Sequence, residues 1–218
     1  IEIVGEALPY VSRGALKLEK AFEAFSLDAA GQTAIDVGAS TGGFTEYLLL
    51  RGAVKVYAVD AGSGQLAAKL RADARVISME KYNARLLSPK DFPVLPTLAV
   101  MDVSFISQTL ILPALYSVLA ERALLVSLVK PQFEAGREKV GKKGVVREPE
   151  THEEVLRMVT DWVQQHGFHI LGLTYSPVRG PEGNIEYLCF IEKDEKSENR
   201  CEVNAAQVVE SSYKALER

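Results

Sequence analysis

The sequence predicts an α/β domain: a seven-stranded, mostly parallel sheet with helices on both faces and an antiparallel last strand. Seven strand-length apolar runs, residues 33–37, 54–60, 75–79, 98–102, 123–130, 169–175 and 186–192, alternate with helix-patterned stretches. Most of these runs are continuous rather than alternating, as in strands buried on both faces. The last two flank residues 176–185, rich in Pro and Gly, which suits an antiparallel hairpin.

The elements follow in order. Leu18, Phe22 and Phe25 recur at helical spacing after Ser12, a candidate N-cap. A second helix is expected from about Gly43, after the first strand. Thr151-x-x-Glu154 reads as a capping box opening a helix with Val155, Val159, Trp162 and Val163 inward, stopping near Gly167. The charged stretch 194–202 reads as a linker, followed by an amphipathic helix using Ala205, Val208, Val209 and Leu216. Residues 132–149 are polar, hold Gly136, Gly141 and Gly144, and follow the fifth strand. A long loop at the carboxyl end of a sheet is expected to serve the site.

At 218 residues, 47% hydrophobic and 25% charged, the chain can bury one sizeable core and does not resemble a disordered segment. No apolar run approaches the roughly 20 residues that span a bilayer, and no secretory signal is visible. A cytoplasmic protein is expected. Cys189 and Cys201 make neither a disulfide framework nor metal-ligand spacing, so no metal is expected. With a net charge of −4, contact with nucleic acid would have to come from local basic patches.

The chemistry starts at Asp36-Val37-Gly38-Ala39-Ser40-Thr41-Gly42-Gly43, an apolar strand running into a small-residue turn and a helix. Glycines let the backbone turn sharply and approach a ligand. Ser40 breaks the G-x-G-x-x-G spacing and no Lys follows Gly43, so neither a dinucleotide pyrophosphate nor a Walker A phosphate is favoured. S-adenosylmethionine suits the turn better. Asp36 could receive its ammonium group, directly or through water, and Asp60 at the second strand's end could accept from both ribose hydroxyls. The last feature would serve NAD as well.

The chain resembles the TlyA (hemolysin A-like) family of FtsJ-like RNA ribose 2′-O-methyltransferases. The matching text includes Tyr10-Val11-Ser12-Arg13-Gly14, Asp36 to Phe44, Val59-Asp60, Met101-Asp102-Val103-Ser104-Phe105, Leu128-Val129-Lys130-Pro131-Gln132-Phe133-Glu134, Gly144-Val145-Val146-Arg147 and Gly183-Asn184-Ile185-Glu186-Tyr187, in that order. Ala15 departs from the family, where a second glycine is usual. The resemblance implies a Rossmann-like class I methyltransferase domain over residues 12–193, with a Lys-Asp-Lys-Glu tetrad at Lys17, Asp102, Lys130 and Glu186. It implies a cofactor site of Asp36, Gly38, Ala39, Ser40, Thr41, Gly42, Gly43, Phe44, Asp60, Asn83 and Asp102. Family members usually carry an N-terminal S4 RNA-binding domain, so residues 1–11 are expected to be the remnant of a linker to it, and residues 194–218 a charged linker and helix.

Methyl transfer to a ribose hydroxyl needs positioning and removal of a proton. Lys130 is the expected general base, since burial or a second ammonium favours the neutral amine. Lys17 would supply that second charge, and Asp102 and Glu186 would orient the two. Taken singly, three of the four have plainer readings, whereas Asp102 interrupts an apolar strand at its ligand-facing end. Lys17 lies on a stripe with Arg13 and Lys20 that could be a solvated face, Lys130 could mark the strand's exit, and Glu186 could guard a sheet edge. Arg13, Lys17, Lys20, Arg137, Lys139, Lys142, Lys143 and Arg147 are the expected RNA contacts.

Absences narrow the target atom. No cysteine stands in a Pro-Cys context for cytosine C5 chemistry, and Asp102-Val103-Ser104-Phe105 replaces the Asn/Asp-Pro-Pro-aromatic motif of amine methylation. The expected partner is ribosomal RNA or a ribosomal subunit, with cytidine riboses the family-implied target. Two other classes compete: an RNA-binding assembly protein with a vestigial catalytic domain, and the membrane-lytic protein suggested by the family's hemolysin label. The second would need an apolar insertion segment.

Overall fold

The computed structural model describes residues 9–194 and 203–216. Strands β1 (Thr33–Val37), β2 (Lys55–Val59), β3 (Val76–Met79), β4 (Leu98–Met101), β5 (Leu124–Val129), β6 (Phe168–Tyr175) and β7 (Tyr187–Lys193) form one sheet in the order β3-β2-β1-β4-β5-β7-β6. Only β7 runs against its neighbours, pairing antiparallel with both β5 and β6. Every predicted strand is present, its ends displaced by no more than one residue. Asp60, Asp102 and Lys130 fall just outside their strands, where the chain turns away from the sheet.

The sheet is covered on both faces, and the period of two along each strand divides the core. Ala34, Val56, Val100 and Val126 meet α1 (Gly14–Phe25), α2 (Gly43–Leu50) and α3 (Ala68–Arg71). Ile35, Val37, Met101 and Val129 meet α4 (Leu112–Val118), α6 (Pro149–Gln165) and α7 (Ala205–Leu216). A single turn, α5 (Pro131–Glu134), follows β5 directly. Leu48, fully buried on α2, contributes on the order of 2 kcal/mol relative to exposure.

Several local expectations are corrected. Ser12 does not cap α1: the N-cap is Arg13, without a side-chain bond, and the Ser12 hydroxyl packs against Gly43 instead. A Cβ on Gly43 would stand 2.2 Å from Ser12 Oγ, so this close approach requires glycine. Thr151 and Glu154 form no capping box. Helix α6 starts two residues before Thr151 at Pro149, whose missing N–H costs nothing at N1, and Glu154 pairs with Lys139. The inward face of α6 is as expected: Val155, Val159 and Val163 are buried in the core, and half-buried Trp162 packs against it with its ring stacked on His166 at 3.8 Å. The expected linker remnant 1–11 is described only from Pro9, and residues 195–202 of the charged linker, with Cys201, lie outside the described residues.

Candidate active site

β1 and β4 are neighbours whose connections leave in opposite directions, so a crevice opens beyond their carboxyl ends. Gly38 ends β1 with φ +87°, and a Cβ there would meet the Asp102 carbonyl oxygen at 2.2 Å. Only glycine lets the two strand ends come this close. The amides of Gly38 and Ala39 both donate to the Val59 carbonyl, at 2.9 and 3.1 Å. Asp60 is held by the amides of Ser40 (2.8 Å) and Gly62 (2.7 Å), one on each carboxylate oxygen. Each oxygen keeps a lone pair for a ligand.

The crevice has two lobes that share Gly38, Ser40 and Asp102. One, of about 420 Å³, has Asp60 and Asn83 among walls of Val59, Val103, Ile106 and Ile111. The other, of about 260 Å³, is lined by Arg13, Lys17, Thr41, Phe44 and Arg179. The structure brings the four candidate catalytic residues together in one cluster, of which Lys17 and Asp102 line this second lobe while Lys130 and Glu186 stand behind them. Lys17 Nζ lies 2.6 Å from Glu186 Oε2 and 3.7 Å from Asp102 Oδ2, and Lys130 Nζ lies 2.5 Å from Asp102 Oδ1. Lys17 and Lys130 are each only 8% exposed and Glu186 1%. The plain readings of a solvated stripe, a strand exit and a sheet-edge charge are therefore excluded. β7 is interior to the sheet, and because it runs antiparallel it starts at the edge where β5 ends, with Tyr187 opposite Val129. Glu186 thereby reaches the same edge as Lys130.

Three partners escaped sequence reasoning. Ser104 Oγ accepts from Lys130 Nζ at 3.1 Å, and Gln132 Nε2 donates to Glu186 Oε1 at 3.3 Å. Glu134 accepts from the Ser107 hydroxyl (2.6 Å) and the Gln108 amide (2.9 Å), tying α5 to the loop after β4, and burial raises its pKa. Ser104, Gln132 and Glu134 all sit within the motif strings above, which was the only signal. Phe105 is 90% exposed, in a left-handed conformation (φ +63°), with its ring 5.0 Å from that of Phe133.

Other expected site residues fall elsewhere. Asp36 is fully buried on the α2 face of β1 and lines neither lobe. Its Oδ2 accepts from the Thr45 hydroxyl at 2.7 Å, its Oδ1 has no partner, and burial pushes its pKa up to about 7. Gly42 faces Leu66 and Leu70 rather than the crevice. Asn83 does line the larger lobe, with its side chain accepting from the Arg85 amide. Of the candidate RNA contacts, Arg13 reaches the crevice, Lys20 is half-buried outside it, and the Lys17 ammonium is committed to Glu186 and Asp102. Arg137, Lys139, Lys142, Lys143 and Arg147 are exposed on the 132–149 segment, with Lys139 paired to Glu154. Among the described residues no acidic, histidine and cysteine cluster could hold a metal, and no helix is long and apolar enough to cross a membrane.

A sheet of this order with a glycine turn at its switch point and an acidic residue ending β2 defines a Rossmann-like class I methyltransferase. The FtsJ-like methyltransferase family matches residues 10–193, and the chain belongs to that family. It is 48% identical over 182 residues to the 16S/23S rRNA (cytidine-2′-O)-methyltransferase TlyA of Mycobacterium tuberculosis, covering 84% of this chain and 68% of the relative. It is 45% identical over 189 residues to hemolysin A of Brachyspira hyodysenteriae, covering 86% and 78%. A solved hemolysin-type protein of Streptococcus thermophilus superposes with TM-score 0.94 at 51% identity, covering 98% of this chain and 78% of that one.

The enzyme is thus a methyltransferase, and its methyl donor is S-adenosylmethionine. The crevice fits that molecule. The Asp60 carboxylate suits ribose hydroxyls, the apolar walls of the larger lobe suit an adenine, and the open backbone at Gly38 admits close approach.

Proposed function

We propose that the protein methylates ribose 2′-hydroxyl groups of ribosomal RNA, with cytidine as the target nucleotide. The observation that carries this is the chain Glu186–Lys17–Asp102–Lys130, buried beside the cofactor crevice and reaching its smaller lobe at Lys17 and Asp102. The name of the tuberculosis relative gives that protein the same reaction and nucleotide.

Bound cofactor supplies a methyl group on a sulfonium, with a neutral thioether as leaving group. A sugar hydroxyl is a weak nucleophile until its proton is taken, and Lys130 is the group for that task. In its amine form Lys130 Nζ has two N–H bonds, which Asp102 Oδ1 and Ser104 Oγ occupy, and one lone pair left for the incoming proton. Asp102 bridges both lysines, and Glu186, gripped by Lys17 and Gln132, fixes the first of them. Arg13 and the exposed basic residues of the 132–149 segment supply phosphate contacts, and the free face of Phe105 suits an unstacked base.

The test is to incubate the protein with labelled S-adenosylmethionine and ribosomal subunits, then map ribose methylation by mass spectrometry. Wild type should methylate a cytidine 2′-oxygen, and Lys130→Ala should lose at least about a hundredfold in rate while still binding cofactor. Cofactor binding without methylation in both proteins would refute the proposal.

A further inference from the structure

We infer that Arg179 and Arg147 form a built subsite for a backbone phosphate of the RNA strand, one step beyond the catalytic lobe. This rests on the RNA reading above and assigns a role to Arg179, a residue outside every motif used so far. Arg179 belongs to the walls of two cavities. One is the catalytic lobe. The other, of about 380 Å³, is bounded by Arg147, Gly183, Ile185 and Tyr213, with Glu182 as the acidic member of its wall. A strand leaving the catalytic lobe past Arg179 therefore meets a second concavity lined by two arginines against one glutamate.

The subsite is pre-organised. Asn184, 1% exposed, accepts from the Val146 amide (3.0 Å) and donates to the Gly144 carbonyl (2.8 Å). It thereby welds the segment bearing Arg147 to the loop bearing Arg179. The Arg147 carbonyl accepts from Tyr213 Oη at 2.6 Å. The guanidinium of Arg179 donates to the carbonyls of Gly183 (3.1 Å) and Leu216 (2.8 Å). Both partners are neutral, and among the described residues no carboxylate pairs with Arg13, Arg147 or Arg179. A guanidinium held rigid, solvent-facing and electrically unpaired is suited to a phosphodiester. Free phosphate offers the same oxygens, but the continuity with the catalytic lobe favours a polymer.

The plainer role for Arg179 is to tether the last turn of α7, and the experiment separates the two. Wild type, Arg179→Gln and Arg179→Lys are titrated with ribosomal RNA over a range of KCl concentrations, and methylation and thermal unfolding are followed in parallel. Glutamine keeps a donor for Leu216 but loses the charge, and lysine keeps the charge. Arg179→Gln should bind about fivefold more weakly, with the slope of log affinity against log salt shallower by about 0.7, while Arg179→Lys keeps the slope. An RNA carrying a neutral methylphosphonate at the contacted linkage should weaken wild type equally and Arg179→Gln no further, which inorganic phosphate cannot mimic. An unchanged slope in Arg179→Gln, with or without a lowered melting temperature, overturns the subsite while wild-type methylation leaves the enzymatic reading standing. Wild type that neither binds nor methylates RNA overturns both.

Discussion

Replacing Lys17 by Met tests the buried pair at the heart of the site. Lys17 and Glu186 are 2.6 Å apart with side-chain exposures of 10% and 1%, so solvent screens their attraction little. Lys17→Met fills nearly the same volume but leaves Glu186 charged and buried with only the Gln132 amide, and leaves Asp102 with one ammonium instead of two. Breaking such a pair from one side costs about 3–5 kcal/mol, because the remaining charge stays desolvated. For a chain of this size that is a fall in melting temperature of roughly 6–15 °C. The double variant Lys17→Met/Glu186→Gln removes both charges and should recover most of the loss, since the amide that replaces the carboxylate would still meet Gln132 by hydrogen bond. Urea unfolding of wild type, the single and the double variant measures this, with methyl transfer assayed beside it. Neither variant should be active. A single variant as stable as wild type would refute the buried-pair geometry, and a double variant with full activity would refute the role of the tetrad.

The buried Asp36 makes a prediction with a definite sign. Its folded pKa of about 7 lies above the ordinary 3.8, chiefly through burial and secondarily through the charges of Asp102 and Asp60, so the native state holds a proton that the unfolded state has released. Its contribution to stability is whole below about pH 4 and is lost as pH rises towards about 7, by up to about 4 kcal/mol. Asp36→Asn should therefore gain on wild type in urea melts between about pH 5 and pH 8, and an equal difference at both pH values would count against a raised pKa. Gly38→Ala places a methyl 2.2 Å from the Asp102 carbonyl at φ +87°, and should cost more than about 2 kcal/mol and abolish cofactor binding by calorimetry. A stable, cofactor-binding Gly38→Ala protein would mean that the strands do not meet at this point.

Much was legible in the chain. Strand positions followed from apolar runs, because burial on both faces of a sheet imposes composition as well as length. The glycine turn was legible because an unusual backbone conformation restricts residue type locally. Capping was misread at Ser12 and Thr151, because Pro149 and the packing of Ser12 on Gly43 outweigh weak local preferences. The sequence by itself determined which elements form and which residue types end them. Only the tertiary structure decided that Lys17 meets Glu186 across 169 positions, that Asp36 is sealed beneath the crevice rather than facing it, and that Arg179 stands between two cavities. Apolar periodicity records which face of an element is buried. The reversal of β7 was legible in the Pro- and Gly-rich turn before it, but its insertion between β5 and β6, which carries Glu186 beside Lys130, arises from pairing between distant segments, and no local pattern encodes it.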